Sequence, residues 1–86
     1  MASYNVEFSE NVRKDFRKIP NADAARILGK IHALEEDARP PGSKKLKGEK
    51  LYRIRVGVYR VVYEIEDERL VVFVVRVKHR KEAYRH

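Results

Sequence analysis

The sequence predicts an α+β domain of order β-α-α-β-β-β, with a helical hairpin packed on one face of a mainly antiparallel sheet. Two observations carry that expectation. Between Ser9 and Ala38 the apolar residues recur at helical spacing, whereas from Lys45 onward hydrophobicity alternates with period two through "LYRIRV", "VYRVVYEI" and "RLVVFVVRV". The breaks between those three segments, around Gly57 and around Asp67 and Glu68, are short and turn-like, so the strands should follow one another as antiparallel hairpins. Length adds a bound. The 86 residues, with no cysteine, make one domain (1–86) near the lower limit of what folds without disulfides or thiolate metal sites, so one compact core must supply its stability.

Taken in order, "YNVEF" alternates and reads as a short first strand. Ser9 can cap a first helix bearing Val12, Phe16 and Ile19 on one side, and Pro20 stops it. Asn21 can cap a second helix running to about Ala38, with Ile27, Leu28, Ile31 and Leu34 as its apolar stripe and "RPPGS" as its end. Glu35, Glu36 and Asp37 then fall at the negative C-terminal pole of that helix, an unfavourable placement. The three valine- and tyrosine-rich strands follow, and the apolar run from Leu70 to Val75 suits a strand buried on both faces in the interior of the sheet.

Charge is segregated along the chain. The net charge is +7, and residues 1–40 carry seven basic against seven acidic groups while residues 41–86 carry thirteen against six. A cationic half next to a neutral one implies a polyanionic partner, with nucleic acid the first candidate, ahead of an acidic protein and an anionic membrane surface. The polar, alternating N-terminus and the short apolar runs point to a cytoplasmic domain with no membrane partner.

The arginines are spaced in a way that ordinary solubility does not require. Arg53 and Arg55 point to one face of their strand, opposite Tyr52 and Ile54. Gly57 suits the first central position of a type II′ turn, and a two-residue loop Gly57-Val58 sets Arg55 directly across from Arg60; a loop at Val56-Gly57 would pair Arg53 with Arg60 instead and keep the shared face. Like charges facing each other in a sheet cost up to about 1 kcal/mol, a cost that an anion would offset. Arg80 lies just beyond the last strand, in "KHRKEAY". Tyr52, Tyr59 and Tyr63 fall on the other face and are expected in the core.

"KLKG", "LYRIRVGVYRVVYEI", "LVVFVVRV" and "HRKEAY" resemble, in order and spacing, the second half of the RelE toxins of the RelE/ParE superfamily, and "YNVEFSENVRKDFRKIP" resembles their first strand and helix. The resemblance covers nearly the whole chain. It implies a microbial-RNase-like β-α-α-β-β-β fold, entry into the ribosomal A site, cleavage of mRNA there, and neutralisation by a cognate RelB-like antitoxin, through which alone operator DNA would be bound. By position it implies site roles for Arg53 and Arg55 as the basic pair, for Arg60, for Arg80 after the last strand, and for Tyr84. The pattern has lysines where this chain has Arg53 and Arg55, and a longer basic tail. His79 stands where members carry a basic residue or a histidine.

Metal-free RNA cleavage needs a base for the 2′-OH, an acid for the 5′-oxygen and cations for the phosphorane. No cofactor or metal cluster is suggested by the scattered histidines and acids. Arginine offers a rigid fork that matches phosphate oxygens but is a poor base, with a pKa above about 12. Arg60 and Arg80 are therefore assigned to the scissile phosphate and Arg53 and Arg55 to the neighbouring backbone, while proton transfer falls to His79 or Tyr84. Lys44, Lys45, Lys47 and Lys50, with Arg76 and Lys81, are candidates for docking on ribosomal RNA. Two other classes stay open: a ParE-like gyrase poison without nuclease chemistry, and a non-catalytic nucleic-acid-binding module.

Overall fold

The computed structural model describes residues 3–46 and 50–83, without the side chains of 82 and 83. Its elements are β1 (Asn5–Phe8), α1 (Glu10–Arg17), α2 (Asn21–Ala33), β2 (Lys44–Lys45), β3 (Leu51–Val56), β4 (Tyr59–Glu66), β5 (Val71–His79) and α3 (Arg80–Ala83). The sheet runs β1-β5-β4-β3-β2, with β1 parallel to β5 and every other pair antiparallel. The expected class and order hold. Two small elements were not foreseen: the two-residue edge strand β2, whose Lys44 and Lys45 face Arg53 and Tyr52, and the single turn α3. β5 lies inside the sheet between β1 and β4, as its apolar run requires.

The helices start as their caps dictate. The Ser9 hydroxyl accepts the Val12 N–H (3.3 Å) and donates to the Val75 carbonyl (2.7 Å), so one side chain both opens α1 and ties it to β5. α2 is different from expectation at both ends. Pro20 is its N-cap and makes no side-chain capping bond, which leaves Asn21 as the first helical residue rather than the cap. The helix stops at Ala33, not near Ala38, and Glu35–Asp37 follow directly in the turns beyond its C-cap Leu34, still beside its negative pole. The chain beyond is held by turns: Glu35 N–H donates to His32 O (3.0 Å) and the Asp37 carboxylate accepts the Arg39 N–H (3.0 Å).

Val12, Ile27, Ile31, Leu34, Val61, Tyr63, Val72 and Val74 form the fully buried centre, between the helices and one face of the sheet. Tyr59 and Tyr63 belong to this core, with Tyr52 packed partly against it, as the alternation predicts. Burial pushes the Tyr63 phenol up to about 12, and its hydroxyl donates to the Ala38 carbonyl at 2.9 Å.

At the β4–β5 loop, Arg39 makes a bidentate pair with Asp67 (3.1 and 2.9 Å) and donates through Nε to the Tyr52 hydroxyl (3.2 Å), while the Tyr4 hydroxyl donates to Asp67 at 2.6 Å. The hydrogen bonds from Arg39 and Tyr4 hold the Asp67 carboxyl down at about 2, and Asp67 in turn raises Arg39 and Tyr4. This cluster joins the segment after α2, the start of the chain and the sheet.

Candidate nucleic-acid interface and active site

The β3–β4 hairpin has the predicted two-residue loop. Val56 faces Tyr59 across it, Gly57 has φ +59, and Val58 does not share the positive φ, which is the type II′ pattern. Arg55 consequently lies directly opposite Arg60. On the next strand Arg60 is opposite Lys78, so Arg55, Arg60 and Lys78 make a cationic row across three adjacent strands. The row is on the sheet face away from the helices.

Its geometry depends on a β-bulge. Tyr63 pairs with Val74 but Val62 pairs with Arg76, so Val75 is an extra residue on β5. Before the bulge Val72 and Val74 point into the core; after it Val77 does and the partly buried His79 takes the same face, while Arg76 and Lys78 take the open face. The Ser9 hydroxyl satisfies the carbonyl of the bulged residue.

The chain then turns. The Arg80 N–H donates to the Val58 carbonyl at 2.7 Å, which pins the first residue of α3 to the hairpin loop. Arg55, Arg60 and Arg80 line one hollow of 150 Å³ around that loop, together with Gly57, Val58 and Tyr59. Three arginines, from β3, β4 and α3, thus line a space large enough for a phosphate group, with no acid among its described lining residues.

The remaining sequence candidates separate. Arg53 is 7% exposed and donates to the Gly42 carbonyl (3.3 Å), which braces the segment leading into β2. It joins Lys44 and Arg55 in lining a neighbouring hollow of 360 Å³, so Arg55 belongs to both hollows. Lys44 and Lys45 are exposed on β2 beside it. Lys50 is placed elsewhere, in a hollow shared with Glu64, Glu66, Asp67 and Glu68 at the opposite end of the strands. Arg76 is held by Asp15 in a bidentate pair (3.0 and 3.1 Å), and the same carboxylate accepts the Val77 N–H (2.9 Å).

His79 is not brought to the arginines. Its ring meets Tyr59 edge-on, with centroids 5.5 Å apart, on the helix-covered face, in a hollow that Lys18 and Lys81 also line. Tyr84 and Lys47 lie outside the described residues. Lys78 was not among the sequence candidates; its position two residues before Arg80 was the available signal, and the bulge decides its face.

A hollow lined by three arginines on an α+β sheet of this order is suited to holding an anion such as a phosphate group. Residues 6–84 match the family described as the ParE toxin of type II toxin-antitoxin system, parDE, and the chain belongs to that family, within the RelE/ParE superfamily. Among curated relatives it is 31% identical to the toxin RelG of Mycobacterium tuberculosis, over 95% of this chain and 97% of that one. It is 30% identical to the mRNA interferase toxin RelE of Escherichia coli, over 95% and 90%. Its fold superposes on the RelBE2 toxin-antitoxin complex of M. tuberculosis with a TM-score of 0.81 at 30% identity, covering 90% of this chain and 98% of that one. Against the intact E. coli RelBE complex the TM-score is 0.78 at 31% identity, covering 90% and 96%.

Proposed function

We propose that this chain is the toxin of a type II toxin-antitoxin system and inhibits translation by cleaving mRNA in the ribosomal A site, with a RelB-like antitoxin as its neutralising partner. One observation carries the nuclease reading: Arg55, Arg60 and Arg80 converge on a single phosphate-sized hollow. The similarity to an mRNA interferase toxin supports it, and the solved toxin-antitoxin complexes of relatives support the partner. Operator DNA would be met only through the antitoxin complex.

In the proposed reaction the 2′-oxygen attacks the adjacent phosphorus, the P–O5′ bond breaks, and the products are a 2′,3′-cyclic phosphate and a 5′-hydroxyl. Arg60 and Arg80 donate to the non-bridging oxygens and stabilise the charge that grows on them, a task needing no metal or cofactor. Arg55 bridges to the neighbouring hollow and orients the next phosphate, with Arg53 and Lys44 behind it. Tyr84, four residues past Arg80, is assigned the proton transfer, because His79 faces Tyr59 instead of the guanidinium groups. A site built from permanently charged cations lacks a strong base, so alignment of the 2′-OH must supply much of the rate. This gives the ribosome its part: it holds the message in the attacking geometry.

The test is to map mRNA 5′ ends in cells expressing the wild type or Arg80→Ala. Codon-phased cuts within translated message that vanish in the variant are expected. Intact message together with arrested DNA gyrase would overturn the reading in favour of the gyrase poison, and intact message with no gyrase effect would leave only a binding module.

A further inference from the structure

We propose that His79 is a positioning residue for Arg80, acting as the N-cap of α3 and not as the acid or base of the reaction. The inference rests on the nuclease reading above and adds to it the device that aims one of its guanidinium groups.

The geometry is specific. His79 is the last residue of β5 and immediately precedes Arg80, the first residue of α3. Its Nδ1 accepts the backbone N–H of Lys81 at 3.1 Å, the second residue of the helix. That is the bond an N-cap side chain makes, and it occupies a donor that a helix start otherwise leaves without a partner. With Nδ1 as acceptor, the ring proton of the neutral imidazole is on Nε2. The ring stands edge-on against Tyr59, itself a core residue, a contact that favours this orientation. The preceding N–H, that of Arg80, is bound to the Val58 carbonyl at 2.7 Å. Two successive N–H groups at the strand-to-helix turn are thus fixed, one by the hairpin loop and one by His79. The side chain between them is Arg80, whose neighbours in the hollow are Arg55 and Arg60.

A general acid or base must reach the reacting oxygens, and the His79 ring is on the face opposite the Arg55–Arg60–Lys78 row. Among the described residues, the titratable groups that share the hollow with the ring are Tyr59 from β4, Asp15 and Lys18 from α1 and its C-terminal flank, and Lys81 from α3. Asp15 already holds Arg76 and the Val77 N–H. An imidazole so placed controls the backbone at residue 81 and, through it, the direction of Arg80.

The test compares His79→Asn with His79→Phe in single-turnover cleavage of message on programmed ribosomes. Asparagine keeps a cap acceptor for the Lys81 N–H and cannot shuttle protons; phenylalanine keeps the edge contact with Tyr59 and loses the acceptor. His79→Asn should retain activity within a few-fold, while His79→Phe should lose roughly 10- to 100-fold in rate, the scale of a displaced catalytic group. In an Arg80→Ala background His79→Phe should cause no further loss, since it acts only through Arg80. Equal, severe loss in both His79 variants, with unchanged thermal stability, would overturn the proposal and make the imidazole a participant in the chemistry. Unchanged activity in His79→Phe would overturn it from the other side. If the wild type itself leaves message intact, the nuclease reading fails, and the cap is then judged by backbone amide exchange at Lys81: faster exchange in His79→Phe than in His79→Asn supports the cap, and equal exchange overturns it.

Discussion

Arg53 and Arg55 are two positions apart on one strand and point the same way, yet their surroundings give them different tasks. Arg53 is almost wholly buried, and its guanidinium braces the Gly42 carbonyl, so its charge organises the protein before it meets any ligand. Arg55 is exposed and set against Arg60. Their mutual repulsion, of up to about 1 kcal/mol, is relieved when an anion enters between them. Tyr63 is the opposite kind of residue, an ionisable group kept neutral by burial. The unfolded chain ionises its tyrosine near the ordinary value of 10.0 and the folded chain only at about 12, so Tyr63 stabilises fully below the first value and its contribution is lost as pH rises toward the second. At neutral pH Tyr63→Phe should cost about 1 kcal/mol for the lost bond to the Ala38 carbonyl. Denaturant titrations of both proteins across that alkaline window should show the wild-type advantage shrinking; an advantage that grows with pH would refute the assignment. The burial of Tyr63 and the shared face of Arg55 and Arg60 were legible from period-two alternation and one glycine. The burial of Arg53 was not, because alternation tells which face a side chain takes and nothing of the segment that folds over it.

At the scale of elements, the β3–β4 hairpin and the bulge in β5 together place the site. Gly57 takes a positive φ that L-residues reach at a cost of roughly 1–2 kcal/mol. A Cβ there would also approach the Arg26 guanidinium at 3.1 Å, which the flexible arginine can yield to, so backbone strain dominates. Gly57→Ala should therefore lower unfolding stability by about 1–2 kcal/mol and reduce message cleavage by more than the unfolded fraction explains, because Val58 O anchors Arg80. A variant as stable as wild type would mean that the turn is not the strained II′ form. The two-residue hairpin and the shared face of its arginines could be read in advance, but Gly57 fits either of two loop positions and only the structure chooses the register that sets Arg55 against Arg60. The bulge could not be read in advance. Without the extra residue Val75, strict alternation from Phe73 would have put His79 on the arginine face, where a sequence reading naturally sought a base. The early end of α2 was hidden for a similar reason: its apolar stripe continues to Leu34, while the acids beyond it and the Asp37 and Ala38 contacts turn the chain away.

Across the whole molecule the sheet is graded in charge along its strands. The end bearing the β3–β4 loop carries Arg55, Arg60, Lys78 and Arg80, whereas at the other end Glu64, Glu66, Asp67 and Glu68 are largely offset by Arg39, Lys50 and Arg69. Such a gradient orients the protein toward an RNA surface before contact, presenting the hollow first. The Arg39–Asp67–Tyr4 clamp secures the far end, where Lys50 is set apart from the arginine hollow. No helix among the described residues is long and apolar enough to cross a membrane. The basic second half of the chain announced a polyanionic partner, but the division into a cationic end and one where acids and bases nearly balance came only with the register of the strands. The central claim is that the guanidinium hollow stabilises the transition state of mRNA cleavage and does more than bind RNA. The most direct measurement is the single-turnover cleavage rate on programmed ribosomes at saturating toxin, for the wild type, Arg60→Ala and Arg80→Ala. The account predicts that each variant loses roughly 100-fold or more in that rate while its affinity for the ribosome changes only a few-fold. Wild-type rates at saturation, with the whole loss in affinity, would contradict it.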